Sequence, residues 1–136
     1  MSTLSQLNKK FNFKKKAHAR AAALNKRPQV KGAVKRARIV TPRKPNSARR
    51  PTAKIILTNR RWVVAHIPGK GHNIRPHSSV LVRGGGARDL PGVRFTCIRG
   101  VYDFAGIDEK TRRRSIYGAK RPRDKLIKLR RRFRFK

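Results

Sequence analysis

The stretch Ala53-Lys54-Ile55-Ile56-Leu57-Thr58-Asn59-Arg60-Arg61-Trp62-Val63-Val64-Ala65-His66-Ile67 decides the fold. Ala53, Ile55 and Leu57 alternate with Lys54, Ile56 and Thr58, the two-residue period of a half-buried strand. A second β-rich run follows from Arg61 to Ile67. Between them lies Asn59-Arg60, a two-residue connection that reads as a hairpin because Asn tolerates positive φ. In the second run Val63, Ala65 and Ile67 share one face. His66 falls on the other and is expected to point outward.

Working outward, Val80-Leu81-Val82 and Arg94-Phe95-Thr96-Cys97-Ile98-Arg99 read as two further strands, and Val34 to Val40 as a fifth. No helical period interrupts them. Five short strands with long loops predict an all-β domain over residues 33–101, and an OB-type barrel fits the count. Cys97 is the chain's one cysteine, so no internal disulfide is possible, and its apolar neighbours predict a buried thiol. Phe95 is expected in the core.

Charge sets the partner. The chain of 136 residues carries 39 Lys and Arg against 5 Asp and Glu, a formal net charge of +34. The first 88 residues hold 23 of the cations and no acidic residue; Asp89, Asp103, Asp108, Glu109 and Asp124 come later. A single-sign surface repels itself and destabilises a compact chain. Such a chain needs a polyanion, which points to nucleic acid. No apolar run approaches the roughly 20 residues that span a membrane.

Two flanking zones complete the plan. Residues 1–32 form a Lys-rich arm, with a capping box at Thr3-Leu4-Ser5-Gln6 that predicts a short helix over 3–10. By composition the arm is either a transit peptide or a mature arm that threads RNA. Residues 102–136 form a basic extension ending in Leu129-Arg130-Arg131-Arg132-Phe133-Arg134-Phe135-Lys136. Arm and tail have little apolar surface and are expected to order on binding.

The loops carry the candidate chemistry. In Thr41-Pro42-Arg43-Lys44-Pro45-Asn46-Ser47 two prolines fix φ and stiffen the chain. Arg43 and Lys44 become cations on a finger, beside Asn46 and Ser47, which suit the edge and 2′-hydroxyl of an RNA helix. The plainer reading is a β-connection with solvated charges. Gly84-Gly85-Gly86-Ala87-Arg88-Asp89-Leu90-Pro91-Gly92 lacks the spacing of a nucleotide loop and predicts close backbone approach to a partner. Asp89 either serves function or caps a turn, or pairs with Arg88 or Arg94. His66, His72 and His77 are too widely spaced, and too close to Lys70 and Arg75, for a metal. No carboxylate pair exists for acid–base catalysis, so neither metal, cofactor nor enzymatic activity is expected.

The motifs Pro45-Asn46-Ser47-Ala48, Gly71-His72-Asn73, His77-Ser78, Arg83-Gly84-Gly85, Asp89-Leu90-Pro91-Gly92-Val93-Arg94, Arg99-Gly100 and Ser115-x-Tyr117-Gly118-Ala119-Lys120-Arg121-Pro122 occur in one order. Together they resemble small-subunit ribosomal protein twelve (S-twelve) of the bacterial and organellar type, over about residues 2–122. The resemblance implies an OB-fold barrel at the decoding centre of the small subunit. It implies decoding-centre and rRNA contacts for Arg43, Lys44, Pro45, Asn46, Ser47, Arg49, Arg50, His72, Asn73, His77, Arg88, Asp89, Leu90, Pro91 and Gly92. Backbone contacts are expected for Lys14, Lys15, Lys16, Arg36, Arg38, Arg112, Arg113, Arg114, Lys120 and Arg121. The implied partners are small-subunit rRNA, the nearby mRNA–tRNA decoding helix and neighbouring ribosomal proteins, with neither a membrane nor a homo-oligomer.

The sequence departs from the common family pattern. Ala48-Arg49-Arg50-Pro51 follows Pro-Asn-Ser where many members have Ala-Leu-Arg-Lys, and Lys70 stands at a commonly acidic position. Residues 123–136 run past the usual end. The arm starts at about the family's own first residue, which favours a product made where it works. The divergence favours a mitochondrion, with a plastid or a bacterial cytoplasm as alternatives. The alternative function is a free OB-fold protein that binds single-stranded nucleic acid, for which the strands offer only Trp62 and Phe95 as stacking aromatics. Because phosphate neutralisation dominates, RNA affinity should fall with log salt at roughly 0.7–0.9 per phosphate contacted. Titrations at stepped salt should therefore give a steep slope; a flat one would assign the affinity to base contacts.

Overall fold

The computed structural model describes residues 3–5 and 21–122. Five strands, β1 (Gln29–Val40), β2 (Arg50–Leu57), β3 (Trp62–His66), β4 (Ser79–Gly84) and β5 (Phe95–Ile98), close into a barrel in the order β1-β2-β3-β5-β4. Neighbours are antiparallel except β3 and β5, which run parallel through Ala65↔Phe95 and His66↔Thr96. This is an OB-like barrel, as the strand count predicts. The first half of β1 pairs with both β2 and β4 and closes the barrel, whereas Arg36 to Val40 pair with β2 alone. The Lys-rich triplet 14–16, the tail 123–136 and most of the capping-box helix lie outside the described residues; within 3–5, Leu4 and Ser5 are helical.

β1 is longer than the sequence predicts and starts at Gln29, within the stretch read as arm. A 3-10 turn, Ala22–Leu24, precedes it, and Leu24 is buried in the core. β1 also contains a bulge between Val34 and Arg36. Before it, Val30, Gly32 and Val34 are buried; beyond it, Arg36 and Arg38 are exposed although they keep the same parity. Arg36 pairs with Lys54, and Arg38 with Thr52, on the outer side of β2. One extra residue in a strand transfers every later side chain to the other face.

The hairpin is present but its turn differs. Ile56 pairs with Trp62, and the Leu57 N–H donates to the Arg61 carbonyl at 2.9 Å. The positive φ belongs to Arg60, at 61°, and not to Asn59. Asn59 contributes its side chain: Oδ1 accepts from the Arg61 N–H at 3.2 Å, and Nδ2 donates to the Ala23 carbonyl at 2.7 Å. The turn is thereby pinned to the segment before β1.

The inward faces supply the core. Val34, Ala53, Ile55, Ala65, Ile67, Val80, Val82 and Phe104 are fully buried. Phe95 and Cys97 are buried too, as predicted. Gly86 explains part of the glycine run: a Cβ there would lie 1.9 Å from the Val93 carbonyl oxygen. The close approach that demands a glycine is to the chain's own backbone at Val93 and Arg94, just before β5.

Burial pushes the Cys97 thiol up to about 12 from its ordinary value of 9.0. Near pH 8 its thiolate fraction should be about 10³-fold lower than in the unfolded chain, since the thiolate is the reactive form. Thiol-exchange kinetics with and without denaturant check this; equal rates would place Cys97 at the surface.

Candidate nucleic-acid interface

Two loops leave the barrel at strand ends. Loop 41–49 joins β1 to β2, and loop 85–94 joins β4 to β5. The Arg43 N–H donates to the Asp89 carbonyl at 3.0 Å. The Asp89 carboxylate accepts from Arg50 Nε at 2.8 Å and lies 2.5 Å from a second guanidinium nitrogen of Arg50. One residue thus fastens both loops. Sequence reading offered Arg88 or Arg94 as the ion-pair partner; the structure gives Arg50, 39 positions away. No local spacing signals a pair of that separation.

Within the finger, the Asn46 N–H donates to the Arg43 carbonyl at 3.0 Å, closing a turn whose Lys44–Pro45 peptide is cis. Arg43, Lys44, Pro45, Asn46, Ser47 and Arg49 are exposed. On the facing loop Arg88, Pro91 and Gly92 are exposed, Asp89 is half-buried and Leu90 is buried. Leu90 is therefore an anchor for the loop, with its N–H donating to the Ala87 carbonyl at 3.3 Å. Gly92 adopts a φ of 75°, which a side chain would strain.

His72, Asn73 and His77 form a second group, held by other contacts. Asn73 Nδ2 donates to the Asp103 carbonyl at 2.9 Å, and Asn73 Oδ1 accepts from the Ala105 N–H at 3.2 Å. The His77 N–H donates to the Val34 carbonyl at 2.7 Å. All three side chains are exposed. Beneath them lies a residue that sequence reading missed. Arg99 is only 4% exposed. Its guanidinium donates to the carbonyls of Pro68 (2.5 Å), Gly71 (2.5 Å) and Ala105 (3.2 Å), and stacks 4.3 Å from the Phe104 ring centroid. The signal was present: Phe95, Cys97 and Arg99 share a parity, and that parity points inward.

Burial holds the Arg99 guanidinium below its ordinary value. His66 shares the outer face of β3 with Trp62 and Val64, as its phase predicts, but is half-buried there, beside Arg50, Pro51 and Asp89. Burial, the largest influence, holds its imidazole below the ordinary histidine value. Of the expected backbone-contacting cations, Arg36, Arg38, Arg112, Arg113, Lys120 and Arg121 are exposed, and Arg114 is half-buried in the turn before Tyr117. Among the described residues no group of three or more His, Cys, Asp or Glu could hold a metal.

A closed β-barrel that fastens two cationic loops into one unit, with further cations along β1, defines a small basic RNA-binding barrel. The family model for ribosomal protein S12/S23 matches residues 17–124. The chain is also 62% identical over 136 residues to the small ribosomal subunit protein uS12m of Paramecium tetraurelia, covering 98% of this chain and 96% of that protein. The chain belongs to the S12/S23 family of ribosomal proteins. It is a structural constituent of the small ribosomal subunit and not an enzyme; its partners are ribosomal RNA and ribosomal proteins.

The Arg50–Asp89 link should show as coupling. Screening at the half-exposed arginine limits the pair to about 1 kcal/mol in a double-mutant cycle of Arg50→Met and Asp89→Asn, smaller at high salt. Chemical denaturation of the four proteins measures it, and strict additivity would reduce Asp89 to its backbone bond with Arg43.

Proposed function

We propose that the fastened pair of loops, 41–49 and 85–94, stands against the rRNA of the decoding centre in a mitochondrial ribosome and tunes the accuracy of tRNA selection. The observation that carries this reading is the Asp89 bridge. It joins Arg43, Lys44 and Arg49 on one loop with Arg88, Pro91 and Gly92 on the other as a single exposed cationic unit. Apart from Asp89, which is already paired, that unit carries no anion, so its exposed chemistry suits phosphate and the 2′-hydroxyl. His72, Asn73 and His77 contribute rRNA contacts from the second loop, and Arg36, Arg38, Arg112, Arg113, Arg114, Lys120 and Arg121 contact the backbone. The mitochondrial placement follows the relative named uS12m.

Mechanistically, the barrel supplies rigidity and the loops supply charge. A cation held at fixed geometry lowers the free energy of one rRNA conformation relative to another only by its differential contact with the two. A single charge-assisted hydrogen bond from Lys44 is worth about 1–2 kcal/mol, enough to shift the error rate about tenfold. Lys44→Thr should therefore leave assembly intact and make decoding stricter and slower. Pro45→Leu should act likewise through placement of the finger. Misreading frequency and elongation rate in ribosomes carrying each variant are the readouts. Unchanged misreading with normal assembly would make the loop a connector only.

A further inference from the structure

Pro68-Gly69-Lys70-Gly71-His72-Asn73 is a loop that does not hold itself. Its two glycines both adopt positive φ, 87° at Gly69 and 60° at Gly71, and glycine surrenders the most backbone freedom when it is fixed. From Gly69 to Asn73 every residue is exposed, so the loop buries no side chain as an anchor. Among the described residues its main chain bonds to no other main chain. Four hydrogen bonds hold it, each between a side chain and a main-chain group. Two are the Asn73 amide bonds to Asp103 and Ala105. The other two reach the loop's own carbonyls, at Pro68 and Gly71, and both come from Arg99. Close packing adds one contact, at Gly69, where a Cβ would lie 2.5 Å from Ile107 Cδ1. That contact fixes the entry of the loop and leaves Gly71 and His72 to Arg99.

We infer that Arg99 is a positioning residue: its guanidinium holds Gly71 and so presents His72 in one fixed geometry, although Arg99 is itself buried away from any partner. The inference rests on the reading that His72 and Asn73 meet rRNA, and adds what holds them in place to do so. Nε, Nη2 and Nη1 donate in turn to Pro68, Gly71 and Ala105, so one planar group ties the loop at two points to the segment after β5. A lysine ammonium carries its three donors on one atom and cannot span carbonyls set around the rim of a guanidinium. No carboxylate shares the task, since the ion pair among the described residues is Arg50 with Asp89. The plainer role for Arg99 is support of the barrel. Against it, none of the three carbonyls belongs to a barrel strand. Between the loop and residues 105–109 lies a groove of about 460 Å³, which Arg99 also lines, so the loop has space to move into when the guanidinium is gone. Loss of the fork should therefore loosen the loop and leave the barrel closed.

The test is Arg99→Lys in the full chain, which keeps the charge and removes the fork. Backbone amide order parameters at Gly71 and His72 should be about 0.85 in the unsubstituted protein and fall below about 0.6 in the variant, with the five strands unchanged. A loop already mobile before substitution, or one that stays rigid after it, would overturn the inference. Loss of order throughout the strands, or unfolding, would make Arg99 a support of the barrel and overturn it equally. The unsubstituted chain gives a second reading: the Arg99 Nε–H should exchange slowly with solvent, and rapid exchange would refute the clamp. In assembled small subunits, a hydroxyl-radical source tethered through His72→Cys should cleave rRNA at discrete positions, a pattern that Arg99→Lys abolishes. The same source at Ser47→Cys, on the finger, should keep its pattern; loss of both patterns together would count against positioning. Cys97 is buried and takes no tether. If the source at position 72 cleaves no rRNA even with Arg99 intact, the rRNA reading of this loop fails, and the order parameters alone decide the role of Arg99.

Discussion

The Asp89 carboxylate against Arg50 is the contact on which the paired loops at one end of the barrel depend. Around it lie exposed arginines and a lysine that repel one another, and before it in the chain there is no other anion. Without a fastening, the least repulsive arrangement of two cationic loops is far apart. Asp89 opposes this twice, with its carboxylate on Arg50 and its carbonyl on the Arg43 N–H. One acidic side chain so keeps two cationic surfaces adjacent at little cost in net charge.

The strands were legible because each is a short β-branched run with a two-residue period, and the barrel followed from their count. Ala53, Ile55 and Leu57 face inward as their alternation requires. What was illegible had long-range or local steric causes. Strand β1 begins in a segment whose Lys and Gln hide the period, and Val30 becomes a core residue only through pairing with Val82. The turn places positive φ on Arg60 because Asn59 is occupied by its hydrogen bonds to Arg61 and Ala23. In the candidate site, the exposed finger Arg43 to Ser47 was legible from proline spacing, whereas the Asp89 partner, the buried role of Leu90 and the covered face of His66 arise from packing between loops distant in sequence.

Arg99 shows a different solution to charge. It is buried without a carboxylate and donates to three main-chain carbonyls over the face of Phe104. Carbonyl dipoles and a ring quadrupole replace the counter-ion, so the interior gains no anion. The three carbonyls belong to Pro68, Gly71 and Ala105, so the same guanidinium sets the path of the chain into Gly71-His72-Asn73. Nearby the backbone of Gly118 passes so close that a Cβ would sit 2.8 Å from the Arg99 carbonyl atoms. Side-chain donors, backbone contact and the buried Phe104 together fix this end of the molecule.

The bulge in β1 works like a phase marker in a written code. Up to Val34 the even-numbered residues are read by the core; from Arg36 onward they are read by the outer face. A deletion of one residue at this position would turn two arginines towards the barrel and the finger beyond them out of phase with its anchor. In a molecule whose charge is almost all of one sign, inside and outside are told apart by count as much as by composition, and this one irregularity keeps the count.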